Sequence, residues 1–553
     1  MPHHPPTANP HTIPGNLLFK KQTLLIALTI LLWLLFLILS IHAFRPDSLY
    51  VTFDSDGAIP VLMANEDRPV TLFDTYYWGV DRWGAWPLAI ARVVHHATGF
   101  QWTDYKLHVV RSIWVFLGLL VLVWINRRAA LAVLVSCLIP LCLEPTIRWH
   151  LFNLSQIYAW QLTALFFAWL SLRRLLATEL LSPGGERTAV KRIVWCVSLY
   201  FSAFLATWSS EASTPFLGFL LLLEVLRSYF LQRDEPANKW KWARYVTAVL
   251  AVAAATISHM LMKANYHRHG IKHWRGDYKA PTWVDVGYLW QDVQGTWRNL
   301  MDFDFGPLLV ACGVFLVVIT LVLAYSLLTK KHVVRARLIH FAFDDDVTMI
   351  IGLAGMALIN LVLMTILSHV RQSDYSSRYL VPTFFLGAIA GLMTIYVMVR
   401  LIARSRRYVI PIAIVGAFLF LIVQFPRYQP NDKYRVYKES AIALAQKAPG
   451  AVLMGSYWET YIFASLQQPT NTMTPLPLEG LQVRIPWTQA MLRNAREVVI
   501  EYRNNDVLNR GPLPVEFTQY GNLLKLKDPQ FYQNGKYAFA LYINERPQQV
   551  TPP

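Results

Sequence analysis

The chain reads as a polytopic α-helical membrane protein of about eleven spans, with amphipathic helices lying in the interface and a C-terminal α/β domain outside the membrane. Three observations predict this. Of 553 residues, 55% are hydrophobic and only 15% charged. The polar residues are grouped between apolar blocks of about 20, the length a helix needs to cross roughly 30 Å of hydrocarbon. Lys and Arg gather in small clusters at alternate ends of those blocks, which is how topology determinants are distributed. That distribution also removes nucleic acid as the explanation of the net charge of +17, because no basic footprint forms on one segment. Cys137, Cys142, Cys196 and Cys312 fall within or at the ends of apolar blocks, so neither a disulfide framework nor a Cys-based metal site is indicated.

Residues 1–19, rich in Pro and His, read as a disordered cytoplasmic tail, with His3, His4 and His11 on a floppy terminus. Spans are predicted at 22–44, 107–125, 129–144, 152–172, 192–208, 213–231, 243–262, 306–328, 347–368, 379–400 and 408–425. The first block has no small-residue cleavage signature and is read as a retained span. Lys20/Lys21, Arg127/Arg128, Arg173/Arg174, Lys191/Arg192, Lys239/Lys241/Arg244, Lys330/Lys331/Arg335/Arg337 and Arg400/Arg404/Arg406/Arg407 fall on one side if the N-terminus is cytoplasmic. The short loops of the other side hold only Arg148, Arg371 and Arg378, so the tail from 426 to 553 is expected outside.

Three outer segments are too long to be connectors. In residues 45–106, Trp83, Trp86, Ile90, Val93 and Ala97 recur at helical spacing, with Asp81, Arg82 and Arg92 between them. Residues 263–305 repeat the device with Trp283, Val286, Trp290, Val293, Trp297 and Leu300, opposed by Asp285, Asp292 and Asn299. Both predict helices with tryptophans at headgroup level. The tail alternates helix-like runs (434–446, 459–466) with strand-like runs (451–455, 497–502, 523–526, 537–542) separated by turn residues. Its roughly 125 residues are enough to bury a core.

Chemistry has few candidate carriers. Asp54 and Asp56, in Asp-Ser-Asp-Gly, stand just beyond the outer end of the first span, where a carboxylate is solvated yet close to the bilayer surface. The same four residues also read as a turn or helix cap. Other polar groups fall at outer ends of spans: Glu144, Arg148, His150 and Asn153; Ser209, Ser210, Glu211 and Ser213; Lys263, His267 and His269; His369, Arg371, Asp374, Arg378 and Tyr379. Ionisable groups at that depth usually face a protein cavity and pair, so these are expected to converge with Asp54 and Asp56 around one outer cavity. Glu211 reads equally as a cap of the following helix. Arg371 and Arg378 read as substrate contacts or as helix-end charges, and Trp149 between Arg148 and His150 reads as their anchor. His267, His269 and His273 read as a solvated loop, and Asp344, Asp345 and Asp346 as a solvated helix start.

With Asp54-Ser-Asp56 in the first loop, Ser377-Arg-Tyr-Leu-Val-Pro382 opening a late span and Gly455-Ser-Tyr-Trp-Glu-Thr-Tyr461 at the start of the tail domain, the chain resembles the GT-C superfamily of integral-membrane glycosyltransferases. That group includes the protein O-mannosyltransferases and the bacterial aminoarabinose transferases of lipid A. The second motif is similar to the Arg-Tyr-x-x-Pro of many such enzymes, and the third to a segment in bacterial relatives. The mannosyltransferases' Asp-Glu pair is replaced by Asp-Ser-Asp. The resemblance implies transfer of a sugar from a polyprenyl-phosphate carrier to a hydroxyl of a glycan, lipid or protein, with inversion. Asp54 or Asp56 would accept the acceptor's proton. Arg378, with Arg371, His369 or Lys263, would stabilise the departing lipid phosphate. Glu211, Arg148, His150, Asp81, Arg82 and Tyr379 would line the substrate cavity. No cofactor is demanded, although two close carboxylates could hold Mg²⁺ or Mn²⁺.

Two other classes fit parts of the pattern. A flippase of lipid-linked sugars should show paired, broken helices in two related halves with mid-membrane charges, whereas no internal repeat is seen and the centres of the spans are nearly free of charge. A non-catalytic glycan-assembly partner would keep the same architecture. The sole sequon, Asn153-Leu-Ser155, sits at a membrane edge, and the outer domain has no cysteine, so a bacterial inner membrane with a periplasmic tail is expected.

Overall fold

In a computed structural model of the chain, the structure describes residues 15–51, 53–67, 69–77, 80–177, 185–231, 239–269, 286–329, 332–367, 370–371, 376–402, 409–467, 473–477, 492–502 and 512–545. The helices are α1 (Gly15–Ala43), α2 (Ser55–Ala64), α3 (Trp86–Thr98), α4 (Asp104–Ile125), α5 (Ala130–Leu143), α6 (Pro145–Phe152), α7 (Tyr158–Ala177), α8 (Gly185–Ser209) and α9 (Ser213–Leu231). They continue with α10 (Lys239–Arg268), α11 (Leu289–Met301), α12 (Gly306–Leu328), α13 (His332–Ala342), α14 (Asp345–Ile366), α15 (Val381–Ile402), α16 (Val409–Gln424), α17 (Asp432–Lys447) and α18 (Tyr457–Leu466).

Among the described residues, eight helices are long and apolar enough to cross a bilayer: α1, α4, α8, α9, α10, α12, α14 and α15. Helices α5 and α6 form a ninth, broken span, bent by 97°. The break has a local cause. Pro140 lies inside α5 and Pro145 opens α6, so ladder donors are missing on both sides. Between them Glu144 is extended, and its carboxylate accepts from the Thr146 N–H at 3.0 Å, capping α6. Helix α7 has 20 residues, enough for roughly 30 Å, and most of it is buried in the bundle, Gln161, Ser171 and Arg173 included. Helix α16 is a shorter apolar helix of 16 residues.

Contacts sort the helix ends onto two faces. On one, Asn126, Arg128, Arg173, Glu224, Arg227, Asp344, Asp345, Asp346 and Arg400 meet, joining the ends of α4, α7, α9 and α15 to the start of α14. On the other, the chain after α1 pairs with the chain after α16. Leu49 N–H donates to the Gln429 carbonyl at 2.9 Å and Asn431 N–H to the Asp47 carbonyl at 2.8 Å. The Tyr428 hydroxyl also reaches the Asp47 carboxylate at 3.1 Å. The first outer loop and the tail therefore stand on the same face.

The acidic run at 344–346 is thus not the solvated helix start expected from the sequence. Asp344 does cap α14, accepting from Asp346 N–H at 3.0 Å, but Asp346 is buried and is held by Arg400 and by the Asn126 amide at 2.6 Å. Asp345 receives Arg227 at 2.7 Å and Arg173 at 3.2 Å. Glu224, 1% exposed, accepts from Trp169 Nε1 at 2.8 Å and faces Arg173 at 3.3 Å. Arg128, Arg173 and Arg400, which the sequence presents as topology signals, therefore belong to a single ion network, buried at Arg173, Glu224 and Asp346 and open to the surface at Arg128 and Arg400.

The first loop holds a two-stranded ribbon, β1 (Tyr76–Tyr77) with β2 (Val80–Gly84), ahead of α3. Trp83, Asp81 and Arg82 are therefore on a strand, and the interfacial helix starts only at Trp86. The ribbon lies tightly on α8: a Cβ at Gly84 would stand 2.0 Å from the Trp208 carbonyl, so only glycine fits there. Helix α3 exposes Ile90, Val93 and Val94 and buries Arg92 and His95. Helix α11 likewise exposes Trp290 (71%), Val293 and Trp297 while burying Asp292 and Thr296. Apolar outward and polar inward is the arrangement of helices lying against lipid.

The tail folds around a six-stranded sheet in the order β4-β3-β5-β8-β7-β6, built from β3 (Val452–Gly455), β4 (Thr474–Pro477), β5 (Glu497–Glu501), β6 (Glu516–Gln519), β7 (Asn522–Asn534) and β8 (Tyr537–Asn544). Strands β4, β3 and β5 are parallel and the rest antiparallel. One face, with Leu453, Val499, Phe539 and Leu541, packs on α17 and α18, and this core continues into Phe53, Ile59 and Met63 of the first loop and α2. The other face carries Val452, Met454, Val498, Ile500, Ala540 and Tyr542. The Gly455-Ser-Tyr-Trp-Glu segment is the turn from β3 into α18, with Ser456 as the cap. The tail domain thus shares its core with the first loop.

Glu224→Ala strips Trp169 and Arg173 of a buried partner, which costs about 3–5 kcal/mol. The melting midpoint of the purified protein in detergent is expected to fall accordingly. An unchanged midpoint would show that the network does not hold the helix ends.

Candidate functional site

Asp54, itself extended at the end of the turns that follow α1, is the N-cap of α2: its Oδ1 accepts from the Gly57 N–H at 2.7 Å. Gly57 lies close under both groups: a Cβ there would stand 3.2 Å from Asp54 Oδ1 and 3.6 Å from Asn153 Oδ1. Asp56 sits in the first turn of α2 and is partly exposed. The turn-and-cap reading of Asp-Ser-Asp-Gly is therefore correct for Asp54, and the position also brings it to the junction of α6 and α7. Burial, and then the Asp56 charge, raise the Asp54 carboxyl to about 7, against the pull of the Gly57 N–H and Lys433.

The junction, residues 153–157, is non-helical backbone between two buried helices. Asn153 Oδ1 accepts from Ser155 N–H at 2.9 Å and Ser155 Oγ at 2.8 Å. The carbonyls are collected by Arg111, 0% exposed, on α4. Its Nε donates to Leu151 O at 2.6 Å, its Nη2 to Gln156 O and to His150 O at 3.4 Å, and its Nη1 to Leu154 O at 3.5 Å. No irregular backbone at such depth persists without partners of this kind.

On the far side of the junction the Tyr158 hydroxyl donates to the Arg378 carbonyl. Arg378 lies over the Tyr379 ring, 4.7 Å from its centroid, and its Nη2 donates to the Tyr379 hydroxyl at 2.7 Å. His150 packs on Trp149 (4.5 Å between centroids) and Tyr158 (6.0 Å), with Arg378 and Arg111 close to its imidazole. Arg148 donates to the Cys142 carbonyl and stands over the Tyr50 ring at 5.6 Å. Among the described residues, three nitrogens here are buried with no hydrogen-bond partner: Arg148 Nε, His150 Nδ1 and Arg378 Nε. Buried polar groups are seldom left unpaired, so unpaired ones mark sites that a ligand can complete.

The remaining predicted residues lie elsewhere. Lys263 is ion-paired with Glu211, joining the end of α10 to the α8–α9 turn. Nearby, Tyr76 meets His259 at 3.3 Å and Trp86 Nε1 donates to Ser209 Oγ at 2.8 Å. Arg371 faces Asp292 of α11 at 3.3 Å and lies over Tyr288 at 4.1 Å. Lys263 and Arg371 are thus each engaged by an acid of their own. His369 lies outside the described residues, and Asp81 and Arg82 are placed only as backbone positions of β2. Among the described residues, no three His, Cys, Asp or Glu side chains are grouped as a metal site.

Beside the junction lies a half-open apolar cavity of about 230 Å³, walled by Trp86, Trp102, Trp114 and Trp160, with Pro60 of α2 and Gln156 also in its lining. Sequence reasoning passes over two residues that shape the site. Arg111 has a signal, a lone cation four positions into an apolar span. Lys433 has none, because only the fold brings α17 to Asp54.

The fold and site define a multi-pass α-helical membrane protein with a sheet domain packed over a polar cluster at one membrane face. No protein-family model matches the chain, and no curated protein matches it. Among solved structures, the chain is similar to ArnT from Cupriavidus metallidurans bound to undecaprenyl phosphate, at 12% identity over 96% of this chain and 99% of that one, TM-score 0.39. It is also similar to the archaeal oligosaccharyltransferase AglB from Archaeoglobus fulgidus in complex with an inhibitory peptide and a dolichol-phosphate. There the identity is 10% over 86% of this chain and 69% of that one, TM-score 0.40. At these scores the likeness bears on neither site nor chemistry, which rest on the chain's own residues.

Between pH 4 and 7 the folded chain keeps a proton on Asp54 that the unfolded chain has lost, so stability falls with rising pH across that window. Asp54→Asn keeps the cap but has no charge to bury. The wild-type melting midpoint is therefore expected to drop relative to the variant as pH rises from about 5 to about 8. A constant difference would show that the carboxylate is not desolvated.

Proposed function

We propose that the chain is a glycosyltransferase that moves a sugar from a polyprenyl-phosphate carrier to a hydroxyl acceptor on the extracytoplasmic side of the membrane. The observation that carries this is the junction of α6 and α7, which has Asp54 on one side, with Asp56 in the adjoining first turn of α2, and the buried unpartnered nitrogens of Arg378, His150 and Arg148 on the other. A carboxylate pair and two guanidiniums gathered around one junction suit a reaction that removes a proton at one end and releases a phosphate at the other. The positive-inside pattern supports placing this face outside a bacterial inner membrane.

In this reading Asp56, whose carboxylate does not cap α2, takes the acceptor's proton, while Asp54 fixes the turn that presents it. The acceptor oxygen forms a bond to the anomeric carbon as the bond from that carbon to the carrier phosphate oxygen breaks. The bonding pair leaves with the phosphate, whose charge Arg378 receives, and the configuration inverts. Acceptor classes are a surface glycan, a lipid or a protein. Asp54 and Asp56 are the pair that would hold Mg²⁺ or Mn²⁺ if the phosphate were bridged by a metal.

The test is a transfer assay in nanodiscs with a panel of polyprenyl-phosphate sugars, with and without chelator. Asp56→Asn is expected to abolish transfer while expression and melting stay at wild-type levels; wild-type turnover in that variant would remove the base. Arg378→Ala is expected to weaken use of the donor by about 10²-fold or more in kcat/KM, the scale of losing one charge-stabilising donor. An unchanged donor dependence would remove Arg378 from the phosphate site.

A further inference from the structure

The apolar cavity beside the junction has no role in the chemistry above, and its walls specify an occupant. We propose that it takes an acyl chain of the acceptor, so that the hydroxyl receiving the sugar belongs to a membrane lipid. This rests on the glycosyltransferase reading and names its acceptor class.

The mouth comes first. Ile90 and Val94 of α3 and Val110 of α4 line the cavity and are also exposed on the outer surface, among the apolar residues that α3 turns outward. An opening rimmed by exposed aliphatic side chains on an interfacial helix leads into hydrocarbon rather than into water. The rest of the lining is equally selective. Arg111 is the one cation in the lining, and its donors are taken up by the carbonyls of residues 150–156. No free charge is offered to a phosphate, and the tryptophan walls suit an uncharged chain.

The position then separates acceptor from donor. Tyr158, which binds the Arg378 carbonyl, and Trp160, which walls the cavity, are two residues apart on α7 and so about 200° apart around it. A carrier whose phosphate rests at Arg378 would have its chain on the other side of that helix turn. Pro60, in contrast, stands one turn of α2 beyond Asp56. A hydroxyl held beside Pro60 would therefore stand about one helix turn from Asp56, on the side where the acceptor's proton is taken.

The experiment uses the full chain in phosphatidylcholine nanodiscs. It is photolysed with a phosphatidylethanolamine carrying a diazirine in one acyl chain and, separately, with a diazirine-bearing polyprenyl phosphate. The acyl probe is expected to label peptides holding Ala91, Val94 and Trp114. Val94→Trp, which narrows the mouth, is expected to cut that labelling severalfold, whereas Ile113→Trp, exposed on α4 outside the cavity, leaves it unchanged. In the transfer assay, shortening the alkyl chain of a hydroxyl acceptor from dodecyl to ethyl is expected to raise KM severalfold with little change in kcat. Labelling of these peptides by the polyprenyl probe alone, or by neither probe, overturns the acyl site whatever the transfer assay shows. Acyl labelling confined to the cavity in a protein that transfers no sugar supports the chain site and overturns the glycosyltransferase reading instead.

Discussion

One buried guanidinium makes the site geometrically feasible. Helices α6 and α7 are separated by five residues of irregular backbone inside a membrane bundle, where an unpaired carbonyl would be costly and no bulk water is at hand. Arg111 meets that cost by gathering those carbonyls from the neighbouring helix. With the break satisfied, Asn153 can turn toward the cap of α2 and Tyr158 can hold the strand of chain that carries Arg378. The approach of carboxylates and cations thus depends on a residue whose donors are spent on backbone carbonyls.

The two membrane faces treat the same residue types in opposite ways. At the face opposite the tail domain, Arg173, Arg227 and Arg400 are matched by Glu224, Asp345 and Asp346, a network that fixes where helices end. At the tail face Arg148, His150 and Arg378 keep a buried nitrogen without a partner. Arg173 and Arg227 also hold buried nitrogens without a hydrogen-bond partner, so what separates the two faces is that each of these guanidiniums stands against a carboxylate, Glu224 or Asp345.

Much of the architecture is legible because bilayer crossing imposes length and hydropathy on a sequence. The tail strands are legible for a related reason: alternation in segments such as Tyr537–Asn544 separates Phe539 and Leu541 from Ala540 and Tyr542 onto two faces. The ribbon at Val80–Gly84 imitates a helix in the sequence because Trp83 and Trp86 happen to stand at helical spacing, while the pairing with Tyr76–Tyr77 and the close approach to Trp208 are not local properties. Asp344–Asp346 imitates a solvated start for the same reason, since its partners come from other helices. Within the site, Asp54 as cap can be read from Asp-Ser-Asp-Gly alone. The pairing of Lys263 with Glu211 and of Arg371 with Asp292 cannot, because opposite charges on distant segments give no pattern in the chain.

The joint between the end of α1 and the start of the tail has a consequence for how the protein is made. Asp47 and Tyr428 bond across 381 residues of chain, and α2 completes its packing only against α17, α18 and the sheet. During synthesis the loop bearing Asp54 and Asp56 therefore emerges early and must wait, incompletely buried, until nearly every span has been inserted. Loop closure of this length is slow and exposes apolar surface meanwhile. Maturation of the acidic loop is in this sense the last step of biogenesis, and a chain released before the tail would carry its carboxylates on an unfinished surface.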